Sequence, residues 1–174
     1  WWKSLRISEL SELGTATRTW YLTYAAWNGL FRVNRSGDHN VPFGGMRRKV
    51  TVDLDHLLEW QSILRTVDLR CDDFEEVIDS AVSGDFIVVD PPYFGQFSNY
   101  CANGFSQGSH VRLARALNRA TRRGVKWMAF NSPEAENMYR RLKNSVVKII
   151  DSRTLIDRHL GNSGSKEELF VTNY

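Results

Sequence analysis

The apolar run Phe86–Val89 constrains the fold of this chain more than any other feature of its sequence. Its apolar residues do not alternate with polar ones, which predicts a strand covered on both faces, as in a parallel sheet flanked by helices. The residues Asp90, Pro91, Pro92 and Tyr93 follow it directly. Because open α/β sheets bind ligands beyond the carboxyl ends of their strands, we expect these four residues at the functional edge of the sheet.

The segments around this run alternate between strand and helix patterns. Strands are predicted over residues 66–71, 86–89, 125–131, 146–151 and 169–173. Helices are predicted over 53–64 and 74–82, and a mostly buried helix is predicted within 15–31, ending near Asn28-Gly29. A further helix is predicted from Ser109, as its N-cap, to Gly124, and another begins at Ser132 and Pro133. This alternation predicts an α/β fold with a mostly parallel sheet. The turn-rich residues 32–49 predict a hairpin-like loop.

Composition favours a folded, cytoplasmic protein of one domain, or of one domain with an insert. The 174 residues are 42% hydrophobic and 12% aromatic, which excludes a disordered chain. No apolar run reaches membrane-spanning length, and Cys71 and Cys101 are expected to be reduced thiols. The net charge of +3 is compatible with a polyanionic partner but does not identify one.

The Asp-Pro-Pro-Tyr turn suits chemistry on an exocyclic amine of a nucleobase. The lone pair of such an amine is delocalised into the ring, which makes the nitrogen a poor nucleophile. The Asp90 carboxylate and the Pro91 carbonyl can each accept one amine hydrogen, and Pro91 has no N–H of its own. Tyr93 can stack on a base that has left the helix. The alternative is a stiff turn with an exposed acid and a packing tyrosine.

Three stretches of the sequence resemble the Dam-type (D12 class) site-specific DNA adenine N6-methyltransferases. They are the Asp-Pro-Pro-Tyr turn, the recognition-like residues 27–34 with 40–44, and the ending Glu-Leu-Phe-Val-Thr-Asn-Tyr at 168–174. The resemblance implies a Rossmann-like methyltransferase sheet with a helical target-recognition insert. It divides the chain into a target-recognition region, 1–65, and a catalytic region, 66–174. It also implies S-adenosyl-L-methionine as cofactor and double-stranded DNA, with the target GATC, as substrate.

The resemblance also assigns roles to individual residues. Asp90, Pro91, Pro92 and Tyr93 would be catalytic, and Asp73, Phe74 and Asp90 would bind the cofactor, with Asp73 and Phe74 at its adenine. The other interpretation of Asp73 is an N-cap for the following helix.

The DNA-binding residues implied by the resemblance lie in or just after the recognition-like segment. Arg32 would contact a guanine, Asn28 the DNA backbone, and Leu30 and Pro42 the thymine side, while Trp27 would insert into the base stack. Asn34 belongs to the same signature. Arg47 and Arg48, followed by Lys49, would pair with phosphates, or else form a solvated loop. The basic run Arg112, Arg115, Arg119, Arg122 and Arg123 is expected to be a solvated helix face.

The family's N-terminal glycine-rich cofactor segment has no counterpart in residues 1–14, where Gly14 is the only glycine. Three explanations stay open at this point. The chain is a fragment of a larger protein, another chain or segment supplies the missing cofactor loop, or the protein is a catalytically inactive relative that binds specific DNA.

Overall fold

The computed structural model describes residues 10–34, 36–45, 52–95, 105–152 and 166–174. Its helices are α1 (Glu12–Ala25), α2 (Leu54–Leu64), α3 (Phe74–Ser80), α4 (Gln107–Arg122) and α5 (Glu136–Tyr139), and its strands are β1 (Phe86–Val89), β2 (Lys126–Asn131), β3 (Val146–Ser152) and β4 (Lys166–Thr172). The fold is mixed α/β. The chain divides into two compact units, Trp1–Cys71 and Asp72–Tyr174. Within the described ranges, no helix has both the length and the apolar character needed to cross a membrane.

The first unit begins with α1, which starts before residue 15 and ends before the predicted end near Asn28-Gly29. Ser11 caps its N-terminus by accepting a hydrogen bond from the Gly14 N–H, and the helix ends at Ala25. A 3-10 turn, Trp27–Gly29, follows, in which Asn28 adopts a left-handed φ of 53°. Left-handed backbone cannot continue an α-helix, so the Asn28-Gly29 pair separates α1 from the segment that follows.

Residues 26–43 of the first unit double back as a hairpin-like loop, as predicted. Isolated antiparallel bridges join Ala26 to Phe43 and Val33 to His39. A Cβ added to Gly44 would lie 2.8 Å from the Ala26 carbonyl oxygen, so the two ends of the loop approach as closely as they do because residue 44 has no side chain.

Helix α2 confirms the helix predicted over 53–64, with Asp53 as its N-cap. The periodicity of Leu54, Leu57, Leu58 and Ile63 predicts an apolar face for this helix, but all four residues are exposed. The strand predicted over 66–71 is wrong: these residues form a turn and irregular backbone after α2. A segment with a strand-like pattern forms a strand only where another strand can pair with it. Among the described residues, no strand pairs with residues 66–71.

The second unit contains a four-stranded sheet in the order β1-β2-β4-β3. Strands β1 and β2 are parallel, whereas β4 is antiparallel to both β2 and β3. The prediction of a mostly parallel sheet is therefore wrong, and the sheet is mixed. An apolar run indicates how far a strand is covered but not its direction, so the sequence pattern could not distinguish the two arrangements.

The core of the second unit lies between the sheet and helices α3, α4 and α5. Leu117, Trp127, Tyr139 and Leu169 are fully buried in it. Helix α4 is capped by Ser106, whose Oγ accepts from the Ser109 N–H, so the prediction of Ser109 as the cap is wrong. Both serines are suitable caps, and the helix starts at the one whose oxygen reaches a free N–H of the first turn.

The basic run on α4 is not uniformly solvated. Arg112, Arg119 and Arg123 form an ion-pair ladder with acids of α3. Arg119 contacts Asp79 at 2.6 Å and Glu75 at 2.7 Å. The ladder forms because these three arginines lie on the side of α4 that packs on α3; Arg115 and Arg122 are exposed, as predicted.

Candidate functional site

The Asp-Pro-Pro-Tyr turn (residues 90–93) lies at the carboxyl end of β1, as the sequence predicts. Parallel to β1, β2 ends beside it at Asn131. Asp90 is exposed, whereas Pro91, Pro92 and Tyr93 are half-buried. The acid is therefore accessible, and the three residues after it are held against the protein.

A cavity of about 380 Å³ opens beside this turn. Residues of the turn, of β1, of α3 and of α4 line it: Phe74, Val77, Ile78, Ile87, Val88, Val89, Asp90, Pro91, Pro92, Phe105 and Leu113. Among the described residues that line it, almost all are apolar, and Asp90 is the one acid. Apolar walls with a single, fixed polar group are typical of small-molecule sites, and 380 Å³ lies within their usual range of about 300–1,000 Å³.

Two side chains at the end of β2 fix the backbone that follows the Asp-Pro-Pro-Tyr turn. The Phe94 N–H donates to the Asn131 Oδ1 at 2.8 Å, and the Ser132 hydroxyl donates to the Phe94 carbonyl at 2.6 Å. Asn131 is fully buried and Ser132 almost so. These bonds are costly to break because the buried side chains of Asn131 and Ser132 cannot turn to water instead. The exit of the turn is thereby fixed to β2.

The side chain of Tyr93 is fixed by a different strand. Its hydroxyl donates a hydrogen bond to Glu168 Oε1, on β4. Burial, that hydrogen bond and the charges of Glu168 and Asp90 together raise the pKa of the Tyr93 phenol. The phenol is thus a neutral donor throughout the physiological range.

The residues predicted at the cofactor's adenine, Asp73 and Phe74, open α3. Asp73 is the N-cap of this helix, accepting from the Glu75 N–H at 2.9 Å, so the cap interpretation is confirmed. Arg112 also contacts Asp73, at 2.8 Å, and its guanidinium lies over the Phe74 ring, 5.0 Å from the centroid. The backbone bond from Glu75, followed by the bond from Arg112, lowers the pKa of Asp73.

Phe74 belongs to an aromatic cluster beside the pocket, formed with Phe105, His110 and Phe94. Its ring lies 5.6 Å from that of Phe105, and His110 of α4 meets Phe105 at 4.7 Å and Phe94 at 5.2 Å. His110 is buried, and desolvation lowers the pKa of its imidazole. The ring is therefore neutral at pH 7 and packs as an aromatic residue that joins the pocket wall to the turn.

In the first unit, the structure brings several of the predicted DNA-binding residues onto one loop, the recognition segment (residues 27–44). The Trp27 N–H donates to the Pro42 carbonyl at 3.0 Å. The Arg32 carbonyl accepts from the Asn40 N–H at 3.0 Å, and Arg32 Nε donates to Asn40 Oδ1 at 2.8 Å. Trp27 and Arg32 are exposed, so their side chains are available to a partner.

The other predicted DNA-binding residues are placed less uniformly. Asn28 is exposed and Leu30 half-buried. The Asn34 side chain accepts from the N–H groups of Ser36 and Asp38, both at 2.9 Å, and so builds the tip of the loop. Arg47 and Arg48 lie outside the described residues.

Sequence reasoning did not assign roles to Glu168, Asn131, Ser132 or Arg112. A signal for Asn131 and Ser132 was present, because polar residues after an apolar strand parallel to β1 must reach the same sheet edge. Glu168 gave no such signal, since β4 enters the sheet antiparallel between β2 and β3.

Comparison with known proteins adds independent information. A family described as D12 class N6 adenine-specific DNA methyltransferase matches residues 2–158. The type II methyltransferase M1.LlaDCHI of Lactococcus lactis subsp. cremoris is 33% identical over 178 residues, covering 97% of this chain and 62% of that protein. The type II methyltransferase M.MjaIII of Methanocaldococcus jannaschii is 26% identical, with 96% and 60% covered. The retron Ec67 DNA adenine methylase of Escherichia coli is 25% identical, with 95% and 58% covered. The chain thus spans about three-fifths of the length of these relatives.

Proposed function

The chain belongs to the D12 class of N6 adenine-specific DNA methyltransferases, and on this premise we propose that the protein transfers a methyl group from S-adenosylmethionine to N6 of adenine in double-stranded DNA, at the sequence GATC. The observation that carries the proposal is the Asp-Pro-Pro-Tyr turn at the rim of an apolar pocket. A protein that only binds DNA needs neither an accessible acid there nor the buried hydrogen bonds that fix the turn's exit.

The residues of the turn divide the chemistry between them. Asp90 accepts one hydrogen of the adenine amine, and the Pro91 carbonyl accepts the other. These two contacts draw the nitrogen toward tetrahedral geometry and release its lone pair toward the methyl donor. Tyr93 stacks on the base, which must leave the duplex to reach the turn. Because the contacts form best with the reacting geometry, the residues act by positioning and electrostatics.

The pocket suits the adenosyl part of S-adenosylmethionine. Phe74 and Phe105 provide aromatic walls for a purine, and Asp90 lies at the rim where the pocket meets the turn. The Asp73 carboxylate, held ionised beside Phe74 by the Glu75 N–H and Arg112, can accept from an amine or hydroxyl. S-Adenosylmethionine, when bound, supplies a methyl group already activated by its sulfonium charge.

Recognition of GATC is assigned to the recognition segment. The Arg32 Nε is occupied by Asn40, which leaves the two terminal nitrogens of the guanidinium for the O6 and N7 acceptors of a guanine. Trp27, next to Pro42, would insert into the stack beside the flipped base. Asn28 would contact the DNA backbone, Leu30 and Pro42 would face thymine, and Arg47 and Arg48 would meet phosphates.

The catalytic assignment is tested by changing Asp90→Ala in the whole protein. Methyl transfer to unmethylated GATC duplexes should fall about 100-fold or more, since Asp90 provides one of the two acceptors for the amine. The matched control is Asp85→Ala, at the opposite end of β1, where the side chain accepts from the Val82 N–H. Transfer by Asp90→Ala within a few-fold of the Asp85→Ala rate would refute the assignment.

The GATC assignment is tested separately with Arg32→Ala. Discrimination against duplexes altered at one guanine should fall by about 1–3 kcal/mol, because a bidentate base contact is lost. Arg65→Ala, an exposed arginine of the same unit, controls for loss of charge alone, which weakens binding to all sequences equally. Unchanged discrimination at every position would show that Arg32 does not contact a base.

A further inference from the structure

Tyr93 connects the proposed site to β4, a strand in which the sequence predicted no functional residue. The Tyr93 hydroxyl donates to the carboxylate of Glu168, on β4, separated from it by 75 positions along the chain. Both residues are half-buried. The residue before Glu168 on β4, Glu167, is exposed, as expected for neighbours on a strand that face opposite sides of the sheet.

The aromatic ring of a residue that stacks on a base has to be held at one angle and depth. The backbone on the exit side of Tyr93 is fixed by Asn131 and Ser132 through Phe94. These bonds position the main chain but leave rotation about the Tyr93 side-chain bonds open. The hydrogen bond to Glu168 restricts that rotation, because it fixes the far end of the ring.

We propose that Glu168 is a positioning residue for methyl transfer, which holds the Tyr93 ring in the orientation that stacks on the extruded adenine. The inference rests on the proposed function, since it assumes that Tyr93 contacts the base. Glu168 does not touch the substrate and acts only through the tyrosine. It belongs to β4, whose register with β2 places Leu169 opposite Asn131, so one sheet edge carries the supports of both the turn's backbone and its ring.

The chemistry of the pair predicts a graded response to substitution. Glu168→Leu removes the acceptor and leaves the ring free to turn, while Glu168→Gln keeps a carbonyl oxygen that can still accept from the phenol. The turnover number kcat should therefore fall about 10- to 100-fold in Glu168→Leu, as expected for a misplaced reacting group, and less in Glu168→Gln. The KM for DNA should change less than about twofold, because the recognition segment is untouched.

The closing experiment is a double-mutant cycle on methyl transfer by the whole protein, using Glu168→Leu, Tyr93→Phe and both together. If Glu168 acts through the Tyr93 hydroxyl, the combined loss in kcat should equal the larger single loss instead of their product. Glu167→Leu, on the opposite face of β4, is the matched control and should retain wild-type kcat. Thermal melting of every variant, together with Glu168→Gln, separates a loss of folding from a loss of orientation.

A fluorescent base in place of the target adenine reports on stacking by the Tyr93 ring. Its fluorescence would not change if Glu168 only stabilised the fold. 2-Aminopurine is quenched when an aromatic ring stacks on it, so Glu168→Leu should be brighter than wild type at saturating protein.

The possible outcomes are distinct. Losses that multiply in the double variant, or a kcat for Glu168→Leu equal to that of Glu167→Leu, would overturn the inference and leave the proposed function standing. Absence of methyl transfer by the wild-type protein would overturn the proposed function itself, and the inference with it.

Discussion

The Asp-Pro-Pro-Tyr turn of the second unit is held by side chains, whereas the recognition segment of the first unit is held mainly by its own backbone. Glu168 contacts Tyr93 of the turn, while the buried Asn131 and Ser132 bond Phe94, which directly follows it. In the recognition segment, the Trp27 N–H bonds to the Pro42 carbonyl and the Gly44 N–H to the Ala25 carbonyl. The turn is therefore held by contacts with β2 and β4, while the segment depends on close backbone contact.

The difference corresponds to what the proposed function requires of each region. A turn that aligns a reacting amine would need a closely fixed orientation, which hydrogen bonds to buried side chains support. A segment that reads DNA would need exposed side chains, and those of Trp27 and Arg32 are exposed. We therefore expect a core substitution on β2 to disturb the turn, and a substitution at a backbone contact of the recognition segment to disturb that segment alone.

The largest effect on stability is expected from Trp127→Ala. Trp127 is fully buried on β2, and its Nε1–H donates to Thr121 Oγ1 at 2.8 Å. Removing the indole leaves a large cavity, which should cost about 3–5 kcal/mol in the free energy of unfolding, while the Thr121 hydroxyl keeps its bonds to the Leu117 carbonyl and the Asn173 side chain. Chemical denaturation measures this loss, and methyl transfer should fall with it because the turn depends on β2.

The matched comparison is Trp27→Ala, at a tryptophan of the first unit that is 39% exposed. Its stability cost should be about 1 kcal/mol or less, since a large part of the ring already faces solvent. Equal destabilisation of the two tryptophan variants would show that the two regions do not differ in how much stability their tryptophans provide.

Gly44→Ala is expected to have an intermediate effect, confined to the first unit. Its new Cβ would lie 2.8 Å from the Ala26 carbonyl oxygen, and both contacting groups are backbone, so the loop's ends must separate. We expect a cost of about 1–3 kcal/mol, as for overpacking. Hydrogen exchange should show the Gly44 amide opening faster, and binding to GATC duplexes should weaken while the amides of β2 keep their protection.

Gly108→Ala is its control in the second unit. Among the described residues, a Cβ there meets only the Ser106 oxygen, at 3.4 Å, and the glycine lies in the first turn of α4. Alanine should therefore be neutral or stabilising by up to about 1 kcal/mol. Faster exchange in β2 on Gly44→Ala would contradict the local character of the contact.

The parts of the fold that the sequence predicted are those whose signal is local. The run Phe86–Val89, the helix over 53–64 and the turn residues around Asn34 each depend on neighbours in the chain, and each is confirmed. The direction of β4 and the absence of a strand at 66–71 depend on which distant strand is available as a partner. No local pattern contains that information.

The same reasoning applies to the site. The placement of residues 90–93 followed from one strand and the rule that ligands bind at its carboxyl end. The contact between Tyr93 and Glu168 required knowing that β4 lies beside β2, and the contact of Arg112 with Asp73 required the packing of α4 on α3. The sequence thus predicted the residues expected to meet the substrate and missed those that hold them.

A smaller effect is expected from Arg119→Ala, which breaks the centre of the ion-pair ladder between α3 and α4. The guanidinium contacts both Asp79 and Glu75, but all three side chains remain partly exposed to solvent, which screens the attraction. The Tm should fall by on the order of a few degrees, and the decrease should shrink in 1 M salt. Arg115→Ala, at an exposed position of the same helix, should leave the Tm unchanged; equal shifts in the two variants would show that the ladder does not stabilise the helix pair.

The smallest effect, the pH dependence of that ladder, tests whether charge is the cause. The bonds from Arg119 lower the pKa of Asp79 and of Glu75 below their usual 3.8 and 4.5 in the folded protein. A carboxylate with a lowered folded pKa stabilises fully above its unfolded pKa, and the contribution is lost as the pH falls through the folded value. The stability difference between wild type and Arg119→Ala should therefore be constant above about pH 5 and shrink progressively below about pH 4.

Denaturation curves between pH 7 and about pH 3 measure this difference in stability. For Arg115→Ala, the difference from wild type should not change with pH. A difference that persists unchanged at the acid end would mean that Arg119 stabilises the helices through the packing of its aliphatic stem and not through its ion pairs.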